Sequence, residues 1–151
     1  MSHRRGFTLI ETLLAVVIVG VLALIGYPKV SRALVQTDVR SARTALANMF
    51  AKARASATQG SRATALRFDG NQVLVTAKPR MTSDGVSVID TVGTVQNLYA
   101  VYGVTISSDV DSIGFDPRGL GSNFGSETTI LVARSGHSES ITIDGLGRVV
   151  K

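Results

Sequence analysis

Eleven carboxylates and two imidazoles are the groups here that could move a proton or hold an ion, and one of them stands apart. Glu11 is the only charge in the 21 residues from Phe7 to Tyr27. A carboxylate near the middle of a membrane helix costs roughly 2.5–3.5 kcal/mol on insertion scales, and less near an end, where Glu11 lies. An acid kept in such a run is by default a functional group with a partner of opposite charge. Asp109 and Asp111, in Ser-Ser-Asp-Val-Asp, alternate so that both face one side of an extended segment, an arrangement that suits a hard cation such as calcium. Such an ion wants six or more oxygens, so two acids read as a solvated loop. Asp116-Pro117-Arg118-Gly119 has the composition of a turn and needs no binding role to explain it. His3 and His137 lack the spacing of a metal site. The absence of cysteine excludes thiolate zinc sites, disulfides and thiol catalysis. No serine sits in a Gly-x-Ser-x-Gly elbow. The sequence therefore offers no catalytic residues, no metal site and no cofactor site, and reads as a non-enzyme.

The elements that must carry Glu11 are plain. A basic leader, Met1 to Gly6 with Arg4 and Arg5, gives way abruptly to the apolar run. As a helix at about 1.5 Å per residue that run reaches about 32 Å, enough to cross a bilayer. A secretory signal would place its small residues after the apolar run, whereas Gly6 precedes it. Beyond Pro28 the apolar period becomes helical. Leu34, Val39, Ala42, Leu46, Met49, Ala53 and Ala57 mark one face, with Arg32, Arg40, Arg43, Lys52 and Arg54 outside it. Gln59-Gly60-Ser61 supplies the stop. Span and stalk are expected as one helix of about 50 residues, with a kink at Gly26-Tyr27-Pro28.

The order Gly6-Phe7-Thr8-Leu9-Ile10-Glu11 resembles the class III signal of type IV pilins and pseudopilins. The resemblance implies cleavage by a prepilin peptidase between Gly6 and Phe7, N-methylation of Phe7, and pairing of Glu11 with the N-terminal amine of a neighbouring subunit. An acid and an amine, each unwelcome in lipid, neutralise one another when subunits pack in register. Gly20 and Pro28 also fall where many family members carry a helix-loosening glycine and a proline.

From Ala63 onward the pattern is strand-like. Ala63–Phe68 and Gln72–Ala77 flank Asp69-Gly70-Asn71, a hairpin signal. Val86–Ile89, Gly103–Ile106 and Ser112–Phe115 are shorter strand candidates. Thr128–Ala133 and Ser140–Ile143 flank a turn at Arg134–His137, and Gly145–Val150 makes a last turn and edge strand. The expected fold class is α+β: a long N-terminal helix packed on an antiparallel β-sheet head, pilin-like. Its parts are a leader (1–6), a transmembrane or filament-core helix (7–28), an amphipathic stalk (29–60) and a β-rich head (61–151).

Charge is uneven. Lys29 to Arg80 carries a balance of +8, and Met81 to Lys151 a balance of −4. Such asymmetry can orient subunits in an assembly or attract polyanions. The Phe115–Gly119 segment and the closing Ile141–Val150 are similar to the GspH/FimT group of minor pilins and pseudopilins. That resemblance implies a subunit of a type II secretion pseudopilus or a type IV pilus, with its head outside the inner membrane. It implies as partners other pilin or pseudopilin subunits, prepilin peptidase, the assembly platform and the lipid bilayer. The competing function is duplex-DNA binding during natural transformation, through a C-terminal Gly-Arg-x-Arg stretch. Here Gly147 and Arg148 match, Val150 replaces the second arginine, and Lys151 follows. One arginine and one terminal lysine supply few phosphate contacts, so DNA binding ranks second.

Overall fold

The computed structural model describes residues 8–79, 89–122 and 126–150. Helix α1 (Leu9–Gly60) runs without a break through Pro28 and crosses the boundary between two compact units, 1–35 and 36–151. In the first unit nearly every described residue is exposed, the large apolar side chains from Leu9 to Leu34 included. In the second, α1 buries Val39, Ala42, Leu46, Met49, Phe50, Ala53 and Ala57. The periodicity forecast all of these except Phe50. The alanines matter as much as the larger residues, because they let the helix backbone approach the strands closely.

The head holds two antiparallel sheets rather than the single sheet expected. In the first, β1 (Thr64–Asp69) pairs with β2 (Gln72–Ala77) and with β6 (Ser112–Phe115), while the two-residue strands β3 (Asp90–Thr91) and β4 (Gln96–Asn97) both pair with β2. In the second, β5 (Thr105–Ser108), β7 (Thr128–Arg134), β8 (His137–Ile143) and β9 (Val149–Val150) pair in that order. Both expected hairpins form. The β7–β8 turn is Ser135-Gly136 with φ of 47° and 82°, the positive pair that the tight right-twisted hairpin demands. The Val86–Ile89 candidate lies outside the described residues except for Ile89, and the strand proposed at Gly103–Ile106 starts two residues later.

A short helix was not foreseen. α2 (Leu98–Tyr102) is capped by the Asn97 side chain, which accepts from Ala100 N at 2.9 Å, and closed by Gly103 in the left-handed region. It carries Leu98 into the core, where Leu66, Val73, Val75 and Phe115 of the first sheet meet Ile130, Val132 and Ile141 of the second.

Polar bonds fix the layers to one another. Buried Thr64 donates its hydroxyl to the carbonyl of Ala53 at 2.8 Å, tying β1 to α1. Asn71 joins the sheets: its carbonyl accepts from Leu98 N and its side-chain oxygen from Ile106 N, each at 3.0 Å. Along β8, Arg43 donates to the carbonyl of Ser140 at 3.1 Å, and both Arg40 and Arg43 pair with Glu139. Arg134 pairs with Asp38 and donates to the carbonyl of Tyr102 at 2.6 Å.

Candidate assembly surface

Thr8, just before the first helical residue, supplies the cap of α1. Its hydroxyl accepts from Glu11 N at 3.3 Å, and its carbonyl accepts from the N–H groups of Glu11 and Thr12. Three of the amides that a helix start leaves unpaired belong to residues 9–11, and this cap engages the last of them. Thr12 donates its hydroxyl back to Leu9 O at 2.9 Å. Glu11 therefore sits in the first turn, where the helix macrodipole favours negative charge. Thr-x-x-Glu is a capping-box spacing. That spacing is the sequence signal for the role of Thr8.

Beyond this first turn, from Leu13 to Tyr27, the helix presents an uncharged and mainly apolar surface. Leu9 is 82% exposed and Leu24 78%, and the stretch carries no charge but Glu11 as far as Lys29. An 18-residue window of α1 has a mean hydropathy of 2.7 with none of its residues buried, so the helix is long and apolar enough to cross a membrane. Gly20 and Gly26 have open space where a side chain would stand. Gly6 and Phe7 lie outside the described residues.

In the head, two turns of the same design lie side by side. Asp116 accepts at one carboxylate oxygen from Leu120 N (2.8 Å) and Arg118 N (2.9 Å), and at the other from Arg118 Nε (3.0 Å). Asp144 accepts from Arg148 N (2.7 Å), Leu146 N (3.1 Å) and Arg148 Nε (2.7 Å). The backbone N–H of Leu120 holds the Asp116 carboxyl below the usual carboxylate range, helped by the Arg118 side chain and opposed by partial desolvation. At Asp144 the Arg148 N–H is the main cause, again with the arginine side chain in support and desolvation against it. Gly121 N donates to Leu146 O at 3.0 Å. A Cβ on Gly121 would stand 2.6 Å from Gly147 N, so only glycine lets the two turns meet.

This places the residues considered for DNA. Gly147 belongs to the contact between turns, Arg148 is held through Nε by Asp144, and Lys151 lies outside the described residues. Asp109 and Asp111 are exposed in a bend. Among the described residues no three acids or histidines gather as a metal site would require.

Residues 1–27 match the family model described as the prokaryotic N-terminal methylation motif. No curated protein matches the chain by sequence. The structure is similar to the crystal structure of the Pseudomonas aeruginosa type IV minor pilin FimU in space group P21. The TM-score is 0.58 at 18% identity, over 76% of this chain and 88% of that one. A second FimU crystal form, P65, gives 0.54 at 17%, over 74% and 90%. The fold is pilin-like. The exposed apolar half of α1, with Glu11 in its first turn, is the candidate functional surface. The head supplies a separately completed core.

Proposed function

We propose that this chain is a minor pilin or pseudopilin subunit. A prepilin peptidase matures it between Gly6 and Phe7, with N-methylation of Phe7, and it then assembles into a pilus or secretion pseudopilus. The observation that carries the proposal is an apolar helix surface left bare by its own fold, with one carboxylate held in the first turn. Lipid satisfies that surface before assembly, and neighbouring subunits satisfy it afterwards. The amine exposed by cleavage four residues upstream is the complement that Glu11 needs in a neighbour. Gly20, Gly26 and Pro28 loosen the helix so that it can pack among others. The head lies outside the cytoplasmic membrane, and the assembly platform and sibling subunits are the partners.

Two measurements test this. N-terminal sequencing of membrane-extracted protein is expected to begin at methylated Phe7; a product starting at Met1, or cut beyond Ala23, overturns the proposal. Glu11→Leu is expected to reach the membrane fraction as well as the parent but to be largely missing from sheared or sedimented filaments. Normal incorporation of that variant removes the carboxylate from assembly.

A further inference from the structure

Two opposite edges of the head carry opposite charge, and both present their charged groups outward. At one end of the first sheet, beyond Phe115, Asp116 and Asp144 turn inward with their carboxylates saturated by backbone N–H groups. Their arginines point out: the side chains of Arg118 and Arg148 are 79% and 65% exposed, against 23% and 17% for the two aspartates. Each arginine is held through Nε alone, so its terminal nitrogens remain available in a fixed plane. Gly119 packs on the Arg54 side chain of α1, which brings a third exposed guanidinium to the same edge. The Arg54 guanidinium has no hydrogen-bond or ion-pair partner among the described residues, although the Arg54 carbonyl accepts from the Thr58 hydroxyl.

The other end of the same sheet is acidic. Asp69 closes β1, and Asp111 lies beside it through the bond from Phe68 N to Asp111 O at 2.9 Å. Asp109 lies two residues earlier in the same bend. All three are exposed and without a bonded cation among the described residues, although Arg67 borders the recess between Asp69 and Asp111. The β1–β6 register sets Thr64 opposite Phe115 and Arg67 opposite Ser112, which puts the two sets at opposite ends of the strands. Five strand steps separate Thr64 from Asp69, about 17 Å.

We infer that these edges dock on one another between copies of this chain, with Arg54, Arg118 and Arg148 of one head receiving Asp69, Asp109 and Asp111 of the next. The inference rests on the filament-subunit proposal. Because the two edges differ, the contact is head-to-tail, and a head-to-tail contact that does not close on itself repeats along a helical array. Fixed guanidinium forks suit carboxylates in a set geometry. Complementary charge of this kind sets register and partner choice more than it sets affinity. The apolar helix surface would then supply cohesion while the head edges choose the angle between neighbours.

The full-length chain contains no cysteine, so introduced thiols are unambiguous. Arg54→Cys and Asp109→Cys, which replace side chains without hydrogen-bond partners among the described residues, are placed on differently tagged copies and oxidised in intact membrane and filament fractions. The expected product is the mixed 54–109 disulfide, several-fold above the 54–54 and 109–109 pairs. It should fall with added salt, be lost in Arg118→Glu/Arg148→Glu, and be restored when the Asp109→Cys copy also carries Asp69→Lys/Asp111→Lys. Equal yields of like and mixed pairs, or indifference to charge reversal, overturn the inference. Filament incorporation is scored on the same samples. Incorporation without the mixed crosslink sinks only this inference, whereas the crosslink without incorporation sinks only the filament proposal. Binding of duplex DNA by the solubilised full chain at physiological salt, abolished by Arg54→Glu, would reassign the arginine edge to nucleic acid and overturn the docking.

Discussion

The two halves of α1 are one element by backbone and two by surroundings. From Leu9 to Leu34 the large apolar side chains are exposed on all sides of the helix. From Val39 to Ala57 the helix hides a stripe in which Ala42, Ala53 and Ala57 are wholly buried. Bulk all round suits a helix whose surroundings are other helices or lipid chains. Small residues on one stripe suit a helix that must lie close against strands whose backbone groups are already paired. Local backbone geometry does not distinguish the two halves; the size and distribution of the apolar residues do.

Single truncations should separate the halves most sharply. Leu46→Ala is expected to cost the head about 2–5 kcal/mol, because it leaves a cavity under both sheets. Leu13→Ala should leave the head's thermal midpoint unchanged, since Leu13 is 56% exposed. Circular dichroism of the full chain in detergent reads both. An equal loss in the two variants would mean that the lower half is packed into the fold after all.

Asn71 tests whether the head is one body. Removing its side-chain oxygen with Asn71→Ala orphans the partly buried N–H of Ile106, which costs about 1–3 kcal/mol. Asn71→Asp keeps an acceptor and should lose less. Hydrogen exchange in β5 and α2 is expected to quicken in the alanine variant before the rest of the head is affected. Uniform quickening would show that the bridge does not mediate between the sheets.

The smallest effect expected is a pH dependence confined to the paired turns. Asp116 and Asp144 have folded pKa values below the ordinary 3.8. The unfolded chain therefore binds more protons in that range, and stability rises with pH there. Their contribution is complete above the ordinary value and fades as pH falls through the lower folded values. Asp144→Asn keeps an oxygen acceptor for the turn but does not titrate, so its midpoint should vary less below about pH 4 than the parent's. Parallel curves would mean the turn carries no linked proton.

Much of this was legible in the sequence because it rests on periodicity and turn chemistry. The helix stripe, the hairpins at Gly70-Asn71 and Ser135-Gly136, and the isolated Glu11 all declare themselves locally. α2 did not, because five residues are too few to show a helical period, and its capping Asn97 reads equally well as a loop residue. Strands of two residues, such as β3 and β4, carry no alternation to detect, and the split into two sheets depends on pairings between distant segments. The likeness of the Asp116 and Asp144 turns is visible in the residues, but their adjacency depends on Gly121 and Gly147, 26 residues apart.

The arginines along β8 have one more consequence. β9 covers only Thr142 and Ile143, so the strand before them would offer a bare edge, and bare edges recruit foreign strands. Arg43 occupies the carbonyl of Ser140, and Arg40 lies across Glu139. An intruding strand would have to strip a guanidinium from its acceptor before it could bond there. This stretch of β8 is thus kept from offering its edge to a misdirected strand.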